Sequence, residues 1–181
     1  MREENLDIPC YTSPDVQEDF KKKIWQSCNV KRNSFEDTQI VKILAPLTTN
    51  PNAPDEDGVT PIFWAAYYGH TEMVKTLVPL TDNPNAPNNY GWTPIYLAAQ
   101  YGHTEVVKIM ASLTENPNAP DKNGRTPIYQ AAINGHIEIV KILAPLTDNP
   151  NAPDKLYSNL YGSRIWPYRN CQNIGPINRQ S

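Results

Sequence analysis

The chain has 181 residues, 39% hydrophobic and 19% charged, which is enough for one ordinary domain with a useful core and too little for an elaborate multidomain machine. Sixteen Lys and Arg against 19 Asp and Glu leave a formal net charge of −3. No global positive field exists to grip a phosphate backbone, and nucleic acid is a poor default partner.

Three cysteines, Cys10, Cys28 and Cys171, form an odd set without C-x-x-C spacing, so neither a disulfide framework nor a zinc ribbon is expected and reduced thiols are the simplest reading. Residues 1–14 alternate acids, amides and prolines, and 1–19, rich in acids with little apolar periodicity, are expected to be a flexible segment. They carry no apolar run of signal-peptide type, and no later stretch approaches the ~18 apolar residues of a membrane span. The expectation is a soluble, cytoplasmic protein with no membrane partner. Lys21, Lys22 and Lys23 offer a nuclear-targeting patch as an alternative, against the plainer reading of a solvated helix face.

Residues 20–54 read as a degenerate capping repeat. Segment 20–33 takes the place of a first helix, with Ile24 and Trp25 available for packing, and 34–54 (SFEDTQIVKILAPLTTNPNAP) matches the second half of a unit that recurs downstream. Three such units run in step with their Thr-Pro pairs 33 residues apart: 55–87, 88–120 and 121–153. A fixed period of this length marks a stack of supersecondary units.

Each unit reads as a turn and two short helices. Gly58, Gly91 and Gly124 supply the permissive turn backbone, flanked by Asp or Asn that bond it locally. Thr60, Thr93 and Thr126 are N-cap candidates followed by Pro at the first helical position. The Ala-Ala pairs 65–66, 98–99 and 131–132 let neighbouring backbones approach, and Gly69, Gly102 and Gly135 are placed to end the helix in the left-handed conformation. The second helix opens at His-Thr-Glu or His-Ile-Glu. Glu72, Glu105 and Glu138 lie at its positive end, and its apolar faces are Met73, Val74, Leu77, Leu80 and Ile139, Val140, Leu143, Leu146. Pro46, Pro79 and Pro145 are expected to end or distort its last turn, whereas Ser112 lets the middle unit run longer. Helices this short need stacking to be stable.

The pattern G-x-T-P-I-x-x-A-A-x-x-G-H-x-E-x-V-K at a 33-residue period resembles the ankyrin repeat over three whole units and half of a fourth. The resemblance implies an all-α solenoid of stacked helix-turn-helix units with β-turn or hairpin loops. Two departures stand out. The family's histidine after Thr-Pro-Leu is here Phe63, Tyr96 and Tyr129, so an aromatic column is expected to replace polar bracing, and the usual Gly-Ala after the second helix is missing. After residue 153 the pattern stops, and 154–181 reads as an irregular tail or makeshift cap, in which Leu156 with Leu160 and Tyr157 with Tyr161 could form one helical turn.

No catalytic motif is recognisable, and no cofactor is expected. His70, His103 and His136 occupy one repeated position. Helices ~8–10 Å apart cannot place three such side chains around one ion, so no metal is expected. The free cysteines have no base paired with them in sequence, and the chain is not expected to be an enzyme.

Function then falls to residues that differ between units. In ankyrin-repeat proteins partners usually contact turn tips and the exposed side of the first helix, lining a concave face. Carried over by position, the tips and helix ends are Glu56, Asp57, Val59, Tyr67 and Tyr68; Asn89, Tyr90, Trp92, Gln100 and Tyr101; and Lys122, Asn123, Arg125, Ile133 and Asn134. Five are Tyr or Trp, residue types enriched at interface hot spots, although the same residues also serve lateral packing. Charge runs from −4 in the first unit through −1 to 0 in the third. The expected function is a non-catalytic protein-interaction module, monomeric by itself, that presents an aromatic-rich concave surface to another protein. A partner with a basic patch would face the first unit, an apolar anchor would sit near Trp92 and Tyr101, and acidic or polar groups would meet Arg125. The alternative is a fragment of a longer ankyrin-repeat signalling or adaptor protein whose effector domain is absent.

Overall fold

The computed structural model describes residues 13–31 and 34–146. All regular structure among the described residues is helical: α1 (Pro14–Cys28), α2 (Phe35–Leu44), α3 (Pro61–Tyr68), α4 (Thr71–Leu77), α5 (Pro94–Tyr101), α6 (Thr104–Ala111), α7 (Pro127–Ile133) and α8 (Ile137–Leu143). The chain divides into two compact units, one through Pro84 with α1 to α4 and one from Asn85 with α5 to α8.

The first helix of each repeat starts for a stated chemical reason. The Oγ1 atoms of Thr60, Thr93 and Thr126 accept the amides of Phe63, Tyr96 and Tyr129 at 3.2, 3.2 and 3.3 Å, satisfying a donor that has no intrahelical partner. Proline follows at the first position in all three. A second device fixes the same start: Asn52, Asn85 and Asn118, buried in the preceding loop, each accept the amide of Ile62, Ile95 or Ile128 on their Oδ1, at 2.9–3.1 Å. Gly69 and Gly102 close α3 and α5 in the left-handed conformation, with φ of 77° and 80°. α7 stops one residue earlier than expected, at Asn134, and Gly135 takes the left-handed position just after it.

The second helices bury Met73, Val74 and Leu77 in one unit and Ile139, Val140 and Leu143 in the other. Their first-turn glutamates pair one turn on: Glu72 with Lys75 at 2.9 Å, Glu105 with Lys108 at 2.7 Å, Glu138 with Lys141 at 3.7 Å. The prolines act as expected, since Ala45–Leu47, Val78–Leu80 and Ala144–Leu146 are tight 3₁₀ turns closing α2, α4 and α8, whereas α6, with Ser112 at the matching place, runs to Ala111. Leu80 and Leu146, expected on the apolar face, are exposed. Each is the last residue of its turn, and after Leu80 the chain leaves in an extended conformation at Thr81.

In the first unit α1 packs on α2 and α3, and α2 on α4. α1 begins at Pro14, so the flexible stretch expected over 1–19 gives way to helix inside its own bounds. The anchor is polar and therefore invisible to an apolar pattern: Gln17 Nε2 donates to the Leu47 carbonyl at 3.0 Å, and its Oε1 accepts the Thr49 amide at 2.8 Å. Ile24 is fully buried, and Trp25 meets Trp64 edge-on at 6.1 Å. Lys22 and Lys23 lie on the exposed side of α1, and Lys21 pairs with Glu18 at 2.7 Å. Residues 1–12 and the tail 154–181, read above as flexible segment and makeshift cap, lie outside the described residues.

In the second unit α5 packs on α6 and α7, and α6 on α8, around Ile95, Ala98, Val106, Val107, Met110, Ile139 and Leu143. The replacement of polar bracing by aromatic side chains expected at Phe63, Tyr96 and Tyr129 does not hold at Tyr96, where polar bracing persists. Its hydroxyl accepts a hydrogen bond from Gln130 Nε2 in the following repeat, and burial raises its phenol above the ordinary value. A buried tyrosine needs such a partner, and the amide of Gln130 supplies it.

Candidate functional site

The turn tips share one construction. Asp55, Asn88 and Asp121 each accept two backbone amides on Oδ1, from the residues two and four further on: Asp57 and Val59, Tyr90 and Trp92, Asn123 and Arg125. The amide of each first residue also bonds the carbonyl of the last, as in Asp121 to Arg125 at 2.8 Å. Asx side chains hold turns in this way. In the second unit the Lys122 amide donates to the Tyr90 carbonyl. A Cβ at Gly91 would lie 2.9 Å from the Lys122 nitrogen, so glycine is required there by close approach as well as by its φ of 82°.

Asp121 does more than hold its turn. Its side chain is fully buried, and Oδ2 accepts Nη2 and Nε of Arg125 at 2.7 and 2.8 Å and Trp92 Nε1 at 3.3 Å. Burial alone would push the carboxyl up. The hydrogen bonds from the Arg125 side chain and from the Arg125 and Asn123 amides, with the guanidinium charge, outweigh it and hold the carboxyl below its ordinary range. Trp92 in turn stacks on Tyr96 with rings nearly parallel at 6.4 Å and leans on Tyr90 at 5.5 Å. One buried carboxylate thus organises an aromatic and a cationic residue from adjacent repeats.

The first unit carries an aromatic cluster of its own. Trp64 stacks on Tyr68 at 6.0 Å and meets Tyr67 edge-on at 5.5 Å, and the two tyrosines touch edge-on at 4.7 Å. Tyr68 also stacks on His70. The Trp64 indole nitrogen is buried and has no hydrogen-bond acceptor among the described residues, an uncommon condition for a buried donor.

These contacts sort the residues carried over from the sequence. Asp57 is exposed and Val59, Tyr67 and Tyr68 are half-buried in the first unit. In the second unit Tyr90 (57% exposed), Tyr101 (45%) and Ile133 (47%) present apolar surface, and Lys122, Asn123 and Asn134 are exposed. Trp92 and Arg125 are half-buried and brought together on Asp121, so much of what each offers is spent inside the molecule. Gln100 is half-buried and its backbone carbonyl accepts His136 Nε2 at 3.1 Å. Asn134 Nδ2 is occupied by the Gln130 carbonyl at 2.9 Å. The residue the sequence reading missed is Asp121, taken there as an ordinary turn acid. Its four-residue spacing to Arg125 was the available signal.

Two of the three histidines, His70 and His136, have structural employment. His70 is buried, with Nε2 2.6 Å from the Val30 carbonyl, and His136 makes the equivalent contact to Gln100. Among the described residues no group of three His, Cys, Asp or Glu side chains is placed to hold a metal ion, and no described helix is long and apolar enough to cross a membrane. Cys28 is fully buried at the end of α1, and burial, aided by the nearby Asp37 charge, pushes its thiol up to about 12.

A family model described as ankyrin repeats (3 copies) matches residues 30–121 and 80–154, which together take in more than half of the chain. Helix-turn-helix units capped by Thr-Pro and closed by Gly-His are the structural counterpart of that match, and the chain belongs to the ankyrin-repeat family. Repeats of this family generally bind other proteins, and the family is typically non-enzymatic. A search of curated proteins finds no match.

Proposed function

We propose that the chain is a protein-binding module whose partner is read by the turn tips and first-helix ends of its repeats. The observation that carries this reading is the exposure of Tyr90, Tyr101 and Ile133 in the second unit. Tyr90 stands on a turn held by Asn88 Oδ1, Tyr101 and Ile133 close the short capped helices α5 and α7, and large apolar side chains displayed on a pre-organised backbone suit interface anchors. Lys122 and Arg125, on the tip whose Lys122 amide bonds the Tyr90 carbonyl, suit acidic or polar groups of the partner. In the first unit Glu56 and Asp57 are exposed at the turn tip before α3, which suits a basic patch.

Trp92 is assigned here to holding the surface, and Tyr90 and Tyr101 to touching the partner. The proposal extends to a monomeric module acting in the cytoplasm without cofactor, whether alone or as the adaptor part of a longer signalling protein. Affinity capture from a matched lysate tests it, comparing the intact chain with Tyr90→Ala plus Tyr101→Ala and, separately, Asp57→Lys. A protein held by the intact chain and lost from the double variant, with helical circular dichroism unchanged, supports the reading. Retention of every captured protein by both variants rejects these faces as the binding surface.

A further inference from the structure

The chain contains two Asn-Gly pairs, Asn123–Gly124 and Asn134–Gly135, both in the second unit. A glycine amide has no neighbouring Cβ to shield it, so its nitrogen can attack the preceding asparagine carboxamide. A C–N bond forms to Cγ, the carboxamide nitrogen leaves as ammonia, and a five-membered imide results. Water then opens the imide at either carbonyl, giving aspartate or isoaspartate. One water is consumed and one ammonia released, with no oxidant or reductant involved.

The structure treats the two pairs differently. Asn134 is the C-cap of α7: its Nδ2 is held by the Gln130 carbonyl at 2.9 Å, its own amide bonds the same carbonyl at 3.2 Å, and the Gly135 nitrogen is held by the Ala132 carbonyl at 3.2 Å. Leaving group and nucleophile are both tied to the helix end. Asn123 stands exposed at a turn tip, and among the described residues its carboxamide makes no hydrogen bond. Only the single turn bond from Gly124 nitrogen to the Asp121 carbonyl, 2.9 Å, must open to release the nucleophile.

We propose that Asn123 is a site of spontaneous deamidation and that the fold protects Asn134 from the same reaction. The product places a carboxylate next to exposed Lys122 and cancels the net positive charge that Lys122 and Arg125, less Asp121, give this tip. The isoaspartate form also lengthens the backbone inside the turn whose Asn123 and Arg125 amides are both held on Asp121 Oδ1. That this would weaken docking of an acidic partner group rests on the reading of this tip as partner-facing, whereas the modification itself is measured without any partner.

The test is incubation of the folded full chain in water labelled with heavy oxygen at mildly alkaline pH, followed by peptide mass mapping over time, beside the same chain unfolded in urea and an Asn123→Gln variant. In the folded chain label is expected at Asn123 faster than at Asn134 by roughly fivefold, the factor that one further hydrogen bond of ordinary net strength imposes when it must open first. In urea the two sites should label alike, and the variant should take up none at residue 123. Equal labelling of both sites in the folded chain overturns the proposal. So does a folded chain that keeps the Asn123 amide while the unfolded chain loses it.

Discussion

Trp92 donates its indole N–H to Asp121 across 3.3 Å, onto the same carboxylate oxygen that takes the Arg125 guanidinium. The first partner lies in the second repeat and the other two in the third, so this oxygen joins the two tips of the second unit. The relationship explains why an aromatic and a basic residue, both plausible contact residues by position, are half-buried. Each is a strut of the surface at least as much as a part of its face.

Replacing Asp121 with Asn isolates that role. Asn88 shows that an amide oxygen serves the turn equally well, accepting the Tyr90 and Trp92 amides at 3.0 Å each, so Asp121→Asn keeps the turn and removes the ionic acceptor. The expected loss is about 1–3 kcal/mol at neutral pH, as for a hydrogen-bonded charge taken from a largely buried site. Because the folded carboxyl is held below its ordinary value, this stability is fully present above the unfolded value and is lost as pH falls through the folded one. Urea titrations of both chains should therefore differ at neutral pH and converge in acid. A difference that persists unchanged in acid would place the effect elsewhere.

Gly102 and Gly135 separate backbone strain from collision. Both have positive φ, 80° and 77°, but a Cβ at Gly102 would lie 2.6 Å from the His136 ring, whereas at Gly135 it would meet nothing within 4 Å. Gly135→Ala should cost about 1–2 kcal/mol from the left-handed conformation alone. Gly102→Ala should cost a further ~1–3 kcal/mol from overpacking and weaken the His136 bond to the Gln100 carbonyl. Thermal melts of the two variants check the order, and equal losses would mean that the ring moves aside freely.

Cys28 is expected to be chemically silent in the folded chain. With its thiol pushed up to about 12 and no exposed surface, almost no thiolate exists at neutral pH to react. Alkylation followed by peptide mapping should modify Cys28 only on addition of denaturant, along the same transition that circular dichroism follows. Modification of Cys28 under native conditions would show that α1 opens locally.

The repeat architecture was legible because each element is set by local chemistry at a fixed spacing. Thr-Pro starts the first helix in all three repeats, as the three Thr Oγ1 caps show, and a proline in the closing stretch of a short helix tightens it, as at Pro79. Even the longer α6 followed from Ser112 alone. The start of α1 was not legible, because Gln17 holds it through hydrogen bonds to Leu47 and Thr49, and the value of a polar residue depends on what lies opposite it. Nor was the exposure of Leu80 and Leu146, which continue the apolar spacing but stand past the last covered turn.

For the candidate surface the division is sharper. Position within the repeat named the tip residues without any coordinates, because a 33-residue period carries equivalent residues to equivalent places. Which of them remain available to a partner was decided by tertiary structure alone. Trp92 and Arg125 are engaged by a carboxylate 29 and 4 residues away, Asn134 is engaged by its own helix, and Tyr90 and Tyr101 keep substantial exposed surface. A repeat pattern determines backbone placement through local propensities, but the pairing of a side chain depends on the distance and burial of groups remote in the chain, and these exist only once the repeats are packed.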